Sequence, residues 1–232
     1  MGKLAFLFPG QGAQVVGMGK DFFDAYDLAK KRFAEADEAL GYSISKLCFE
    51  GPADQLQLTE HTQPAILTVA VIASELLRAE GVEPEIAAGH SLGEYAALVA
   101  AGVLSFQDAV LLVHKRGAYM QEAVPVGEGA MAAVIGLDDE TIISACAEAS
   151  TVGAVQAVNF NCPGQTVIAG TAKGVEHAVT LLQEKGAKKA VILPVSAPFH
   201  STLMEPAAKK LAAELDKVEM HDAAFPVVSN YT

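Results

Sequence analysis

The feature that most constrains this chain is a serine between two glycines, at the junction of an apolar segment and a helical one. Ala87-Ala88-Gly89 has the pattern of the end of a buried strand, and Leu92 to Ala101 has the small, mostly apolar residues of a helix packed on a sheet. Gly89-x-Ser91-x-Gly93 has the G-x-S-x-G spacing of a nucleophile elbow, in which the glycines permit a tight turn that exposes the serine oxygen. The same spacing also occurs in ordinary turns that lead into a helix. The flanking strand and helix favour the elbow.

An elbow here gives Ser91 a chemical environment as well as exposure. The serine lies at a helix N-terminus, where free N–H groups favour negative charge, and the N–H of Leu92 can hold a developing oxyanion. His90 leaves the strand on the opposite face, so we expect it to support the turn by a hydrogen bond.

Composition narrows the class of protein. With 232 residues and 51% hydrophobic content, the chain can bury a core of one large or two small domains. A net charge of −12 argues against broad attachment to nucleic acid or to an anionic membrane, and no apolar run reaches the length of a membrane span. Three widely spaced cysteines without a C-x-x-C pair indicate neither a disulfide framework nor a zinc site. We therefore expect a cytoplasmic protein, and a monomer.

The order of elements predicts an α/β fold with two parts. Strands at Leu4 to Phe8 and before Ser91 alternate with helices, which indicates a sheet with helices on its faces. From Gly129 the pattern changes to βαββαβ, the ferredoxin-like order. We predict an α/β-hydrolase-like large subdomain (1–125 and 196–232) with an inserted ferredoxin-like small subdomain (126–195). The predicted helices are 21–40, 63–80, 92–101, 106–123, 138–149, 173–185 and 205–217, and the later strands are 131–137, 152–159, 166–169, 189–195 and 225–228.

A glycine-rich loop, Gly10-Gln11-Gly12-Ala13-Gln14, follows the first strand. A dinucleotide-binding G-x-G-x-x-G would need glycine at Val15, and a P-loop would need lysine at Met18, so both phosphate motifs fail. The loop either only connects the strand to the next helix or presents backbone N–H groups to a ligand other than a diphosphate.

Two further residues are candidates for chemistry. A nucleophilic serine needs a base, and His200, on a rigid loop after Pro198-Phe199, fits the late position of a triad histidine, although a single loop histidine is more often only structural. Arg116 is either a helix arginine that extends to solvent or a guanidinium that binds a substrate carboxylate by two parallel bonds. Spacing alone leaves both readings of Arg116 open.

Five motifs together resemble the malonyl-CoA:acyl-carrier-protein transacylases of fatty acid synthesis, over nearly all of the chain and in that family's order. They are Phe8-Pro9-Gly10-Gln11-Gly12-Ala13-Gln14, Gly89-His90-Ser91-Leu92-Gly93-Glu94, Arg116-Gly117-x-x-Met120-Gln121, Asn159-x-Asn161-x-Pro163-Gly164-Gln165 and Pro198-Phe199-His200-Ser201.

This resemblance implies roles for individual residues. Ser91 takes the malonyl group as an ester, with His200 as base and then acid. The backbone N–H groups of Gln11 and Leu92 form the oxyanion hole, and Arg116 binds the malonyl carboxylate. The thiol of the phosphopantetheine on acyl carrier protein then attacks the ester in a ping-pong reaction. The resemblance implies no metal or redox cofactor, since phosphopantetheine belongs to the partner.

Two details qualify the resemblance. Phe199 before His200 is similar to the malonyl-selecting members, whereas members that use branched extender units usually have a smaller residue there. Family members usually continue beyond the strand at Pro226 to Asn230 with a segment that orients the catalytic histidine. We therefore expect the chain to be a fragment or a cleaved piece of a longer protein.

Two alternatives to a transacylase remain. A serine thioesterase or hydrolase has the same elbow and base but lets water attack the acyl-enzyme, and Arg116 and the Gln11 loop argue against it. A non-catalytic module that only binds the carrier protein is the other, and the presence of Ser91, His200 and Arg116 argues against that.

Overall fold

The computed structural model describes residues 3–125, 127–193, 195 and 197–231. Its strands are β1 (Ala5–Phe8), β2 (Ile86–Gly89), β3 (Gly129–Ile135), β4 (Val155–Cys162), β5 (Gln165–Thr171), β6 (Lys189–Ile192) and β7 (Val227–Val228). Its helices are α1 (Lys20–Ala25), α2 (Asp27–Leu40), α3 (Ile44–Glu50), α4 (Ala53–Leu56), α5 (Thr59–Ala79), α6 (Gly93–Ala100), α7 (Phe106–Ala123), α8 (Asp139–Ala149), α9 (Ala172–Glu184) and α10 (Glu205–Leu215). The chain divides into two compact units, one formed by the residues up to 118 with those from 211 on, the other by residues 119–210.

The first unit is built on a parallel sheet in the order β1-β2-β7. The register pairs Phe8 with Gly89 and Ala88 with Val228, so the carboxyl ends of the described strands lie at one edge. In α/β proteins that edge carries the binding and catalytic groups. Ser91 follows β2 directly and therefore lies at this edge.

The helices that cover this sheet are held by a large apolar core. Phe33 of α2 is fully buried, with its ring 4.8 Å from that of Phe49 and 6.0 Å from that of Phe23. The predicted helix 21–40 is wrong in one respect, because Tyr26 has extended backbone angles (φ −130°, ψ 128°) and separates α1 from α2. The short helices α3 and α4 were not predicted.

The second unit contains an antiparallel sheet in the order β4-β5-β3-β6 with α8 and α9. Ile142, Ile168 and Leu182 are fully buried in the core between this sheet and its helices. The arrangement is the ferredoxin-like one, so the predicted α/β fold class with a second, ferredoxin-like part is confirmed.

The compact second unit is longer than the predicted small subdomain 126–195. Position 126, where that prediction begins, and Pro194 of the predicted strand 189–195 lie outside the described residues. The physical reason for the greater length is a second apolar cluster in this unit. It combines Met120 of α7, Val124 just after that helix, Met131 of β3, and Phe199 and Met204 beyond β6. The unit therefore includes the loop that carries His200.

Candidate active site

The turn at Ser91 has the geometry of a nucleophile elbow. Ser91 has a positive φ of 52°, a left-handed conformation that is rare for residues other than glycine. A Cβ atom on Gly89 would lie 1.9 Å from the carbonyl carbon of Gly93, and one on Gly93 would lie 2.2 Å from the carbonyl oxygen of Phe8. The two glycines are therefore required by the close approach of α6 to the ends of β2 and β1.

The side chain of Asn230 bridges this turn. Its Oδ1 accepts a hydrogen bond from the backbone N–H of Ser91 at 2.6 Å, and its Nδ2 donates to the carbonyl oxygen of Gly89 at 2.6 Å. The backbone N–H of Asn230 donates to Oε2 of Glu94 in α6, at 3.3 Å. One residue thus contacts the strand end, the serine and the helix that make up the elbow.

Arg116 of α7 reaches the serine. Its Nη2 donates to Ser91 Oγ at 3.1 Å and its Nη1 donates to Oε1 of the buried Gln63 at 2.9 Å, while its guanidinium lies 5.7 Å from the ring centre of Tyr95. Burial lowers the pKa of the Arg116 guanidinium, and Tyr95 and Glu94 oppose that shift. A cation in this setting is held by neutral groups on two sides, so it can bind an anion brought to Ser91.

The reach of Arg116 depends on how closely α7 lies to α5. A Cβ atom on Gly117, the next residue, would lie 2.6 Å from the Cα of Glu60 and 2.6 Å from the carbonyl oxygen of Thr59. The Nδ1 of His114 also lies 3.0 Å from the carbonyl oxygen of Glu60. Gly117 therefore allows the contact between the helices that brings Arg116 beside Ser91.

The Gln11 loop lies between β1 and α1 in the same unit. Gln11 donates through Nε2 to Thr59 Oγ1 at 3.4 Å, which links the loop to the first turn of α5. Within the described part of the chain, the backbone N–H groups of Gln11 and Leu92 donate no hydrogen bond. The role of these two N–H groups in an oxyanion hole stays a prediction.

His90 occupies the place next to this loop. Its backbone N–H donates to the carbonyl oxygen of Phe8 at 3.0 Å, and its ring Nδ1 lies 2.8 Å from where a Cβ atom on Gly10 would be. The imidazole therefore packs against the Gly10 backbone, which agrees with a supporting role for His90 in the turn.

His200 belongs to the second unit, where its loop is fixed to the antiparallel sheet. The ring of Pro198 occupies the space above Gly129, since a Cβ there would lie 2.3 Å from Pro198 Cδ. Thr202 N–H donates to Oε1 of Gln156 at 3.0 Å. His200 itself is exposed and has a positive φ of 63°. The chain is thus held to this sheet on both sides of His200, by Pro198 and by Thr202.

Comparison with known proteins decides which family this site belongs to. The acyl transferase domain family matches residues 5–231 of the chain. The chain belongs to this family. The malonyl CoA-acyl carrier protein transacylase of Bacillus subtilis (strain 168) is 54% identical over 231 residues, which are 99% of this chain and 73% of that protein.

Solved structures of this acyl transferase family agree closely with the fold. The acyl carrier protein S-malonyltransferase of Vibrio cholerae has a TM-score of 0.95 at 50% identity, covering 99% of this chain and 75% of its own. A malonyl-transacylase in complex with a type II PKS acyl-carrier protein has a TM-score of 0.96 at 47% identity, with 99% and 74% covered.

Membrane spans and metal sites were considered only for the residues that the structure describes. Among them, no helix is both long and apolar enough to cross a membrane. Within the same residues, no group of three or more histidine, cysteine, aspartate or glutamate side chains is placed to bind a metal ion.

The structure joins Arg116 to Ser91, next to Leu92 in the chain, and Gln11 lies in the same compact unit, whereas His200 lies in the second. Sequence reasoning missed Gln63 and Asn230, which hold Arg116 and the elbow. For Gln63 a weak signal was available in the sequence, because this polar residue directly precedes the apolar positions of a predicted helix; in the structure it is only 1% exposed. For Asn230 no local signal exists, since its partner Ser91 is 139 residues away.

Proposed function

We propose that this acyl transferase domain transfers a malonyl group from malonyl-CoA to the phosphopantetheine thiol of acyl carrier protein, in fatty acid biosynthesis. The observation that carries the proposal is the hydrogen bond of 3.1 Å from Arg116 to Ser91 Oγ. A positive charge beside the nucleophile suits an acyl group with its own carboxylate, and Arg can bind that carboxylate by two parallel bonds. The names of the related transacylases support the same substrate.

In the first half-reaction, Ser91 Oγ attacks the thioester carbonyl of malonyl-CoA while its proton passes to His200. The negative oxygen that forms is stabilised by the N–H groups of Gln11 and Leu92. The carbon–sulfur bond then breaks, and the CoA thiolate takes the proton from His200. In the second half-reaction, the phosphopantetheine thiol gives its proton to His200 and attacks the carbonyl carbon of the malonyl ester. The bond from that carbon to Ser91 Oγ then breaks, Ser91 takes the proton from His200, and the malonyl group leaves as a thioester of the carrier.

The proposal also covers the cofactor requirement, the cellular compartment and the oligomeric state. The chemistry needs no metal or redox cofactor, because each step is an acyl or proton transfer. We place the reaction in the cytoplasm, and the free thiols of Cys48, Cys146 and Cys162 suit a reducing compartment. A monomer is sufficient, since one chain carries every residue to which a role is given.

The test is the intact mass of the chain after incubation with malonyl-CoA, beside Ser91→Ala. We expect one malonyl adduct on the unsubstituted chain, no adduct on Ser91→Ala, and loss of the adduct when holo acyl carrier protein is added, with malonyl appearing on the carrier. Free malonate formed without a thiol acceptor would instead show a hydrolase. A folded chain that binds the carrier but takes no malonyl group would show a binding module.

A further inference from the structure

Asn230 is placed at the elbow by the register of the parallel sheet. β7 pairs with β2 so that Ala88 lies opposite Val228. Two residues beyond that pair, the chain of β7 arrives beside the turn that follows β2. Asn230 therefore lies at the serine because of strand pairing. Its side chain bridges the turn by two hydrogen bonds, one to Ser91 and one to Gly89.

The groups that Asn230 meets determine how its amide is oriented. The Ser91 N–H can only donate and the Gly89 carbonyl oxygen can only accept, so the amide oxygen must face Ser91 and the amide nitrogen must face Gly89. The amide of asparagine carries its acceptor and its donor on two separate atoms of one short planar group, so it can serve both backbone groups at once.

The turn that Asn230 bridges needs support. The left-handed conformation of Ser91, with φ of 52°, is unfavourable for a residue with a Cβ, and such conformations persist only where the surroundings fix them. The backbone angles of Ser91 also set the direction of its Cα–Cβ bond, and thus the position of Oγ relative to Arg116. A relaxed turn would move Oγ away from its reacting position.

We infer that Asn230 is a positioning residue that holds the Ser91 turn in its reactive conformation through its paired hydrogen bonds to Ser91 N–H and the Gly89 carbonyl. The inference rests on the proposed function only in taking Ser91 as the nucleophile. It assigns to Asn230 no contact with substrate. Its effect is on the rate at which Ser91 is acylated, and not on affinity for the acyl donor.

The experiment compares Asn230→Ala and Asn230→Asp with a matched control, Tyr231→Ala, whose side chain is 93% exposed. For each folded variant, the rate constant of Ser91 acylation by malonyl-CoA is measured by quenched intact mass from pH 5 to 8 and divided by that of the unsubstituted chain. A saturation series at one pH separates the maximal rate from the half-saturating concentration. Thermal unfolding by circular dichroism gives the folded fraction.

We expect Asn230→Ala to lower the maximal rate at least about tenfold at every pH, since two hydrogen bonds are lost, and Tyr231→Ala to leave it unchanged. In Asn230→Asp the new carboxyl group can accept from Ser91 N–H, but it donates to the Gly89 carbonyl only when protonated. Its charged neighbours are Glu94, which favours the protonated form, and Arg116, which opposes it. The relative rate of Asn230→Asp should therefore rise toward acid pH, while that of Asn230→Ala stays flat.

The outcomes separate this inference from the proposed function. If malonyl-CoA does not acylate the unsubstituted chain, the proposed function fails, and sulfonylation of Ser91 by phenylmethylsulfonyl fluoride is measured in the same variants. The same ranking with that probe would still support the inference. Equal rates per folded molecule in Asn230→Ala and the unsubstituted chain, with either probe, would overturn it. So would a folded chain in which Ser91 reacts with neither probe.

Discussion

The carbonyl oxygen of Phe8 lies 2.2 Å from the place where a Cβ atom on Gly93 would be. The first turn of α6 thus rests directly on the backbone at the end of β1. Since main-chain atoms cannot move aside as a flexible side chain can, a side chain at residue 93 must displace the helix that begins at the elbow.

Gly93→Ala is expected to lower the free energy of unfolding by about 3 kcal/mol, at the upper end of the usual cost of overpacking. Gly102→Ala is the matched control. Residue 102 has a φ of +79° and open space around its Cβ position, so only backbone strain of about 1 kcal/mol applies there. Urea unfolding followed by circular dichroism measures both, and an equal loss in the two variants would contradict the packing argument.

Arg116→Ala is expected to slow acylation of Ser91 by malonyl-CoA about 100-fold, because two bonds between charged groups are lost. Acylation by acetyl-CoA, which lacks the second carboxylate, should change little. Lys115→Met removes a charge from the same helix as a control. Quenched intact-mass kinetics with both donors measure how far the substitution lowers each acylation rate. An equal fall for malonyl-CoA and acetyl-CoA would exclude Arg116 as the carboxylate ligand.

His200→Asn is expected to slow acylation by about 10² to 10⁴, the usual contribution of a general base. Asparagine tolerates the left-handed conformation that His200 adopts, and the His200 side chain is exposed, so the melting temperature should stay the same. Acylation kinetics and thermal unfolding measured on one sample check both expectations. A full rate in the variant would show that another group takes the proton of Ser91.

Lys115→Met should also change how stability depends on pH. Hydrogen bonds from Lys115 and then Lys217 lower the pKa of Glu214 to about 2 from its ordinary 4.5. A carboxyl whose pKa is lower in the folded chain stabilises it above pH 4.5, and loses that contribution as the pH falls toward 2. We expect the urea midpoint of Lys115→Met to lie below that of the unsubstituted chain at pH 6 and the difference to vanish near pH 2. A difference independent of pH would contradict this assignment.

Local patterns in the sequence predicted most of the fold. The helix predicted at 106–123 coincides with α7, and Ser105 Oγ accepts a hydrogen bond from the Asp108 N–H at its start. Alternating apolar residues placed the four strands of the ferredoxin-like sheet to within three residues, except where Pro194 lies outside the described part. These elements were predictable because residues close in sequence determine them.

The support of the site could not be predicted in the same way. Gln63 and Arg116 are 53 residues apart, and Asn230 and Ser91 are 139 residues apart. Such pairs depend on helix packing and strand register, which periodicity does not determine. The break at Tyr26 was missed because the apolar spacing continues across it.

Gly117 and Arg116 are neighbours in α7, and this adjacency couples two properties that proteins usually change separately. The side chain at residue 116 faces the acyl group in the proposed reaction, while the absence of one at residue 117 sets the distance between α7 and α5. A substitution at residue 116 can therefore change the preferred acyl group while the distance between α7 and α5 is kept. An exchange at 117 would shift the whole helix and carry any residue at 116 away from the serine, whatever its chemistry.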